Sequence, residues 1–147
     1  MIQDFPVGDS LHLLDLGIMK KMLLGWRDGN IGSYRSKWSA NTISEISKSL
    51  VQYKLPAEMH RAIRGLECLG YWKGLEFRNF LYYIAIVIVK PYLPRDIYEH
   101  FLLFYCAVVI CSSDVYNNFL DLAHTMLIKY ITDYKCIYGK EYITRIF

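Results

Sequence analysis

Between Ser10 and Trp26 the apolar residues Leu11, Leu14, Ile18, Met22 and Trp26 recur at three- and four-residue steps. That is the period of one apolar face on an α-helix. Asp9 stands at its N-cap position, where a short acceptor side chain satisfies first-turn amides and its charge suits the helix dipole. Glycine, serine and asparagine then dominate from Gly25 to Ala40, so 27–40 reads as a loop. Thr42-Ile43-Ser44-Glu45 has the spacing of a capping box and opens a second helix to about Tyr53. Pro56 restarts the chain as a short helix through Arg64. Gly65, Gly70 and Gly74 leave Leu66 to Lys73 irregular or a single helical turn.

A third helix is expected from Leu75 to Val89, ended by Pro91 and Pro94, which are tolerated in a first helical turn and not inside one. Arg95 to Cys111 forms the fourth, apolar nearly all round in its second half and therefore central. Ser112-Ser113-Asp114 offers an N-cap for the fifth, which reaches Tyr138 before Gly139. Its stripe is Phe119, Leu122, Ala123, Met126, Tyr130, Tyr134 and Ile137. The β-branched run Ile84 to Val89 is compatible with a buried strand, but its continuity with Glu76 to Phe80 favours helix. Without alternating strands or repeats, the expected fold is all-α: one helical domain over 1–147, an irregular bundle of about five helices.

Composition narrows the class rather than the function. Of 147 residues, 54% are apolar, 16% aromatic and 21% charged, which excludes disorder for most of the chain. Lys and Arg total 17 against 14 acidic residues, and +3 is too mild to argue for nucleic acid by itself. The mean hydropathy of +0.16 makes a membrane hairpin worth testing. The apolar runs Phe80–Val89 and Phe101–Cys111 each fall short of a span by about two helical turns. The N-terminus lacks a basic segment followed by an apolar one, so no secretory signal is read and an intracellular location, nuclear or cytoplasmic, is expected. Cys68, Cys106, Cys111 and Cys136 form no CxxC pair and read as buried free thiols in a reducing compartment.

Candidate chemistry is sparse. Asp9 and His12 lie three apart at a helix start, so both can face one point, although an N-cap beside a helix histidine has the same spacing. Asp121 and His124 repeat the spacing on what reads as a solvated face. Tyr34-Arg35-Ser36-Lys37-Trp38 interleaves bases with aromatics, the combination that grips phosphates and stacks on bases. Lys20, Lys21, Arg61, Arg64, Lys73 and Arg78 extend that candidate surface; a solvated loop is the plainer account. Glu76, Glu99 and Glu141 each sit beside a base or an aromatic, as surface ion pairs do. No nucleophile elbow, phosphate loop or dinucleotide fingerprint occurs, and no small-molecule ligand is evident.

Four stretches carry a resemblance: Asp9 to Lys21, Tyr71 to Tyr83, Tyr98-Glu99-His100-Phe101, and Ile137-Tyr138-Gly139-Lys140-Glu141. In order and spacing they resemble transposase-derived proteins common in insect and other animal genomes. Those are similar to DDE transposases of the hAT and CACTA type, whose RNase H-like core is interrupted by a large helical insertion. In that group a Cys or Asp followed by His, with two residues between, lies after the second catalytic aspartate; Asp9-x-x-His12 matches it. The resemblance implies a helical insertion segment. The first two catalytic aspartates would precede residue 1, and the glutamate would follow an Asn-x-His stretch just after Tyr142.

It further implies a fragment without activity of its own and without a cofactor, from a parent whose carboxylates hold two divalent ions, magnesium or manganese. Its partners would be the transposase core or another copy of the chain, with DNA reached through the parent. Arg35, Lys37, Lys73 and Arg78 are the candidate nucleic-acid contacts. Arg61 to Leu66 departs from the more basic, proline-containing stretch of the family, which detracts from that assignment. Two other readings are a domesticated helical interaction or oligomerisation module and a small membrane protein built on the Phe80–Cys111 hairpin.

Overall fold

A computed structural model describes residues 17–31, 37–53 and 63–139, and all regular elements among them are helical. Asp9 and the first half of the Ser10–Trp26 pattern lie outside the described residues, as does the short helix expected after Pro56. The remainder of the first pattern is α1 (Lys20–Asp28), entered through a π-helical turn at 17–19. Met22, Leu23 and Trp26 face the core. The helix runs two residues into the segment expected to be loop and stops at Gly29, whose left-handed φ of 65° suits glycine and lets its N–H bond the Gly25 carbonyl. Gly25 itself is required by close approach: a Cβ there would meet the Ile31 side chain at 2.5 Å.

The second helix starts earlier than the Thr42 capping box implied. Ser39 is the N-cap of α2 (Ala40–Gln52), its hydroxyl accepting from the Thr42 amide. Glu45, freed from a capping role, accepts from the Asn41 amide and the Tyr92 hydroxyl. Ser47 donates to the Ile43 carbonyl and accepts from the Leu66 amide, tying α2 to a 3-10 helix over Leu66–Tyr71. That 3-10 helix occupies the segment expected to be irregular or a single turn.

The expected third helix is one rod in three parts: α3 (Gly74–Asn79), a π-helical turn over Phe80–Ile84, and α4 (Ala85–Ile88). Phe77, Phe80, Leu81, Ile84, Ala85 and Ile88 form its buried stripe, so the β-branched run is helical. A 3-10 turn over Lys90–Tyr92 carries Pro91 near its start, and Pro94 is the N-cap of α5 (Arg95–Cys111). Tyr98 on α5 donates to the Ile86 carbonyl at 2.7 Å, supplying a partner near the C-terminus of α4.

After α5 the chain turns through a 3-10 helix over Asp114–Phe119, capped by Ser113, into α6 (Leu120–Tyr138). The two long helices α5 and α6 pack on each other. His100 lies face to face with Tyr130, ring centroids 4.3 Å apart and planes 8° apart, with Tyr134 and Tyr138 at 6.0 and 5.8 Å. Trp26 of α1 meets Phe101 edge-on at 5.5 Å, and Tyr130 donates to the Met22 sulfur at 3.0 Å. The three helices thus share one aromatic core.

Two expectations fail on burial. On α6 the buried positions are Ala123, Tyr130, Tyr134 and Tyr138, whereas Phe119 and Leu122 stand exposed at 51% and 47%. Phe119 departs from the stripe because it ends a 3-10 turn instead of lying in the α-helix, and along α6 the buried positions Ala123, Tyr130, Tyr134 and Tyr138 exclude Leu122 and favour Tyr138 over Ile137. The cysteines are free, but Cys111 and Cys136 are exposed and Cys68 and Cys106 only half-buried. No helix among the described residues is long and apolar enough to cross a membrane.

Candidate functional site

Of the residues singled out in sequence, Lys73 and Arg78 fall on one short element. Lys73 is the N-cap of α3 and Arg78 lies in its last turn, both exposed. The Arg78 guanidinium sits 5.8 Å from the centroid of the Tyr82 ring, within cation–π range. Tyr82 is itself anchored: its hydroxyl bonds Ser112 Oγ at 2.7 Å, and Ser112 donates onward to the Val108 carbonyl. Tyr71, 77% exposed, stands just before Lys73. No carboxylate among the described residues pairs with Lys73 or Arg78.

Arg64, expected to extend this surface, is committed elsewhere. Its guanidinium grips Glu76 in a two-pronged bond of 2.7 and 3.1 Å and also donates to the Tyr71 carbonyl. Glu76 is 3% exposed, which departs from the surface ion pair expected of it. Burial pushes its carboxyl upward in pKa, but the Arg64 hydrogen bonds and the Lys73 amide outweigh that, and the net shift is down. The pair closes the first turn of α3 and presents Lys73. Glu99 does form the expected surface pair, with Arg95 four residues earlier at 2.9 Å.

Lys37 is exposed on a different element, just before α2, where Trp38 donates its indole N–H to the Tyr92 carbonyl and packs 6.2 Å from Trp26. Asp9, His12, Arg35, Arg61 and Glu141 lie outside the described residues. Asp121 and His124 are both exposed, as a solvated face requires. Among the described residues no group of three His, Cys, Asp or Glu side chains is placed to hold a metal ion.

Sequence reading missed an apolar edge at the turn between α5 and α6. Val115 is 81% exposed, and Tyr116, Phe119 and Leu122, the next large apolar residues to face solvent, follow it in the 3-10 helix and the first turn of α6. The signal was present: behind Asp114, the pair Asn117-Asn118 and then Asp121 break up these apolar residues, which marks a surface turn, not a buried stripe. Compared with protein-family profiles, with curated proteins and with solved structures, the chain matches none.

Proposed function

We propose that this chain is the helical insertion segment of a transposase-derived protein and works by docking, without strand-cutting chemistry of its own. The observation that carries the docking reading is the apolar edge of Val115, Tyr116, Phe119 and Leu122, four large side chains close in sequence that all face solvent. Contiguous exposed apolar groups are a mark of interaction surfaces. The family reading is supported by where its motif stretches meet. His100 of the third stretch lies 5.8 Å, ring to ring, from Tyr138 of the fourth, and Phe101 of the third packs on the same core through Trp26. Residues that build one core keep their spacing for a physical reason, so a resemblance resting on them concerns the fold.

In this reading the edge seats on an RNase H-like core, and the α3 face of Lys73 and Arg78 contributes phosphate contacts from outside the core. A strand-nicking and strand-transfer assay on the purified chain with magnesium or manganese tests the absence of intrinsic chemistry. No metal-dependent product is expected, and robust nicking sinks the proposal. A domesticated interaction module would use the same edge on a different partner; a chain that self-associates through this edge yet fails to bind a purified RNase H-like transposase core would favour it.

A further inference from the structure

Where the first turns of α5 pass the last turns of α6, a groove of about 380 Å³ opens to solvent, within the range of small-ligand sites. Its polar lining is Asp96, Glu99 and His100 from α5 and Lys129 and Asp133 from α6. Leu103 and Ile137 supply apolar wall. Asp133 pairs with Lys129 at 3.0 Å and Glu99 with Arg95 at 2.9 Å, while Asp96 has no ion pair among the described residues. With Lys129 and Arg95 offsetting two of the three carboxylates, Asp96 leaves the described lining net negative.

His100 gives this groove more than charge. The residue is 3% exposed, and its Nε2 lies 2.9 Å from the Tyr130 carbonyl. A carbonyl only accepts, so Nε2 carries the proton and Nδ1 of the neutral ring is left as an acceptor. Nδ1 is buried and has no hydrogen-bond partner. An unpaired buried acceptor is costly, and a donor arriving from the groove would relieve it. The donor must match both features: N–H groups for Nδ1 and a positive charge for the carboxylates. A metal ion does not suit, since no three ligand groups converge among the described residues.

We infer that this groove binds an organic cation, a primary ammonium or guanidinium, with its charge against Asp96 and an N–H directed to His100 Nδ1. His100 lines the groove and its Nδ1 is covered in the free protein, so seating requires the side chains over it to move aside. The ligand chemistry has two sources, a free amine or an Arg or Lys side chain of a protein partner. The inference stands apart from the docking edge, which lies at the opposite end of α5 and α6.

The test is a titration of the full chain, labelled with ¹⁵N in its histidines, against butylammonium, against acetyl-Gly-Arg-Gly-amide, and against butanol as the neutral control. Either cation should shift the His100 Nδ1 resonance saturably, and butanol should not. Asp96→Asn, at an exposed position that does not threaten folding, should weaken binding about two- to fivefold. Asp121→Asn, three turns away on α6, should leave it unchanged. Tighter binding of the peptide identifies a protein side chain as the source, and equal binding a free amine. No saturable shift with either cation, an equal response to butanol, or indifference to Asp96→Asn overturns the inference.

Discussion

The indole N–H of Trp26 donates to the phenolic oxygen of Tyr138 at 3.2 Å, a buried bond between residues 112 apart in sequence. It fastens the end of α1 to the end of α6 and stands on the same core as His100 and Phe101. Tyr138→Phe removes the acceptor and leaves a buried indole N–H behind. Urea unfolding should show a loss of about 1–3 kcal/mol, from an unsatisfied buried donor. Trp26→Ala, which empties the contact with Phe101 and Trp38 as well, should cost about 3–5 kcal/mol.

Acid should destabilise the protein in two stages. Burial lowers the His100 pKa from its ordinary 6.5, with the Tyr130 carbonyl and Asp133 opposing and Lys129 assisting. The unfolded chain therefore takes up this proton at higher pH than the folded one. Stability from His100 is complete above pH 6.5 and declines as pH falls below it, by at most about 1.4 kcal/mol per pH unit until the folded pKa is reached. Glu76, depressed below its ordinary 4.5, contributes stability that is present above pH 4.5 and lost as pH falls through its folded pKa. Chemical melts from pH 8 to pH 3 should show both stages. His100→Phe, which keeps the stack on Tyr130, should erase the upper one alone.

At Gly25 the fold depends on an absent side chain. Gly25→Ala places a methyl group 2.5 Å from Ile31 Cβ, inside van der Waals contact. Thermal unfolding should report a loss of about 1–3 kcal/mol from overpacking, although alanine is the better helix former. Pairing it with Ile31→Ala should recover part of the loss; an additive double variant would mean the two side chains do not meet.

The α3 face makes a prediction with its own readout. If Lys73 and Arg78 contact phosphates, Lys73→Ala with Arg78→Ala should lower the slope of log affinity against log salt by about 2, one for each contact, across unrelated DNA sequences. Fluorescence anisotropy from 50 to 200 mM salt measures it. An unchanged slope removes this face from any nucleic-acid role.

Helix positions were legible because the three- and four-residue period survives wherever one face is buried against a neighbour. The rod from Gly74 to Ile88, α5 and the end of α6 at Tyr138 all lie where that period and the flanking prolines and Gly139 place them. Ser39 was harder to see, since Thr42 offered an equally good cap signal three residues on; in the fold the Thr42 amide is itself the donor that Ser39 caps, just after Trp38 packs on Trp26. The same limit governs the candidate sites. Lys73 and Arg78 were visible as charges, but the pairing of Arg64 with Glu76, twelve residues apart through a 3-10 helix, follows from tertiary geometry. His100 read as one residue of a helix motif. Its orphan nitrogen exists only because Tyr130, thirty residues later, takes the other one.

The account centres on docking through the apolar edge, and sedimentation velocity of the purified chain with a fluorescent apolar dye tests it most directly. The wild-type chain should bind the dye and self-associate as concentration rises. Val115→Asp with Phe119→Asp should abolish both while unfolding stability stays within about 0.5 kcal/mol, as surface substitutions do. A wild-type chain that remains a monodisperse monomer and binds no dye would contradict the claim.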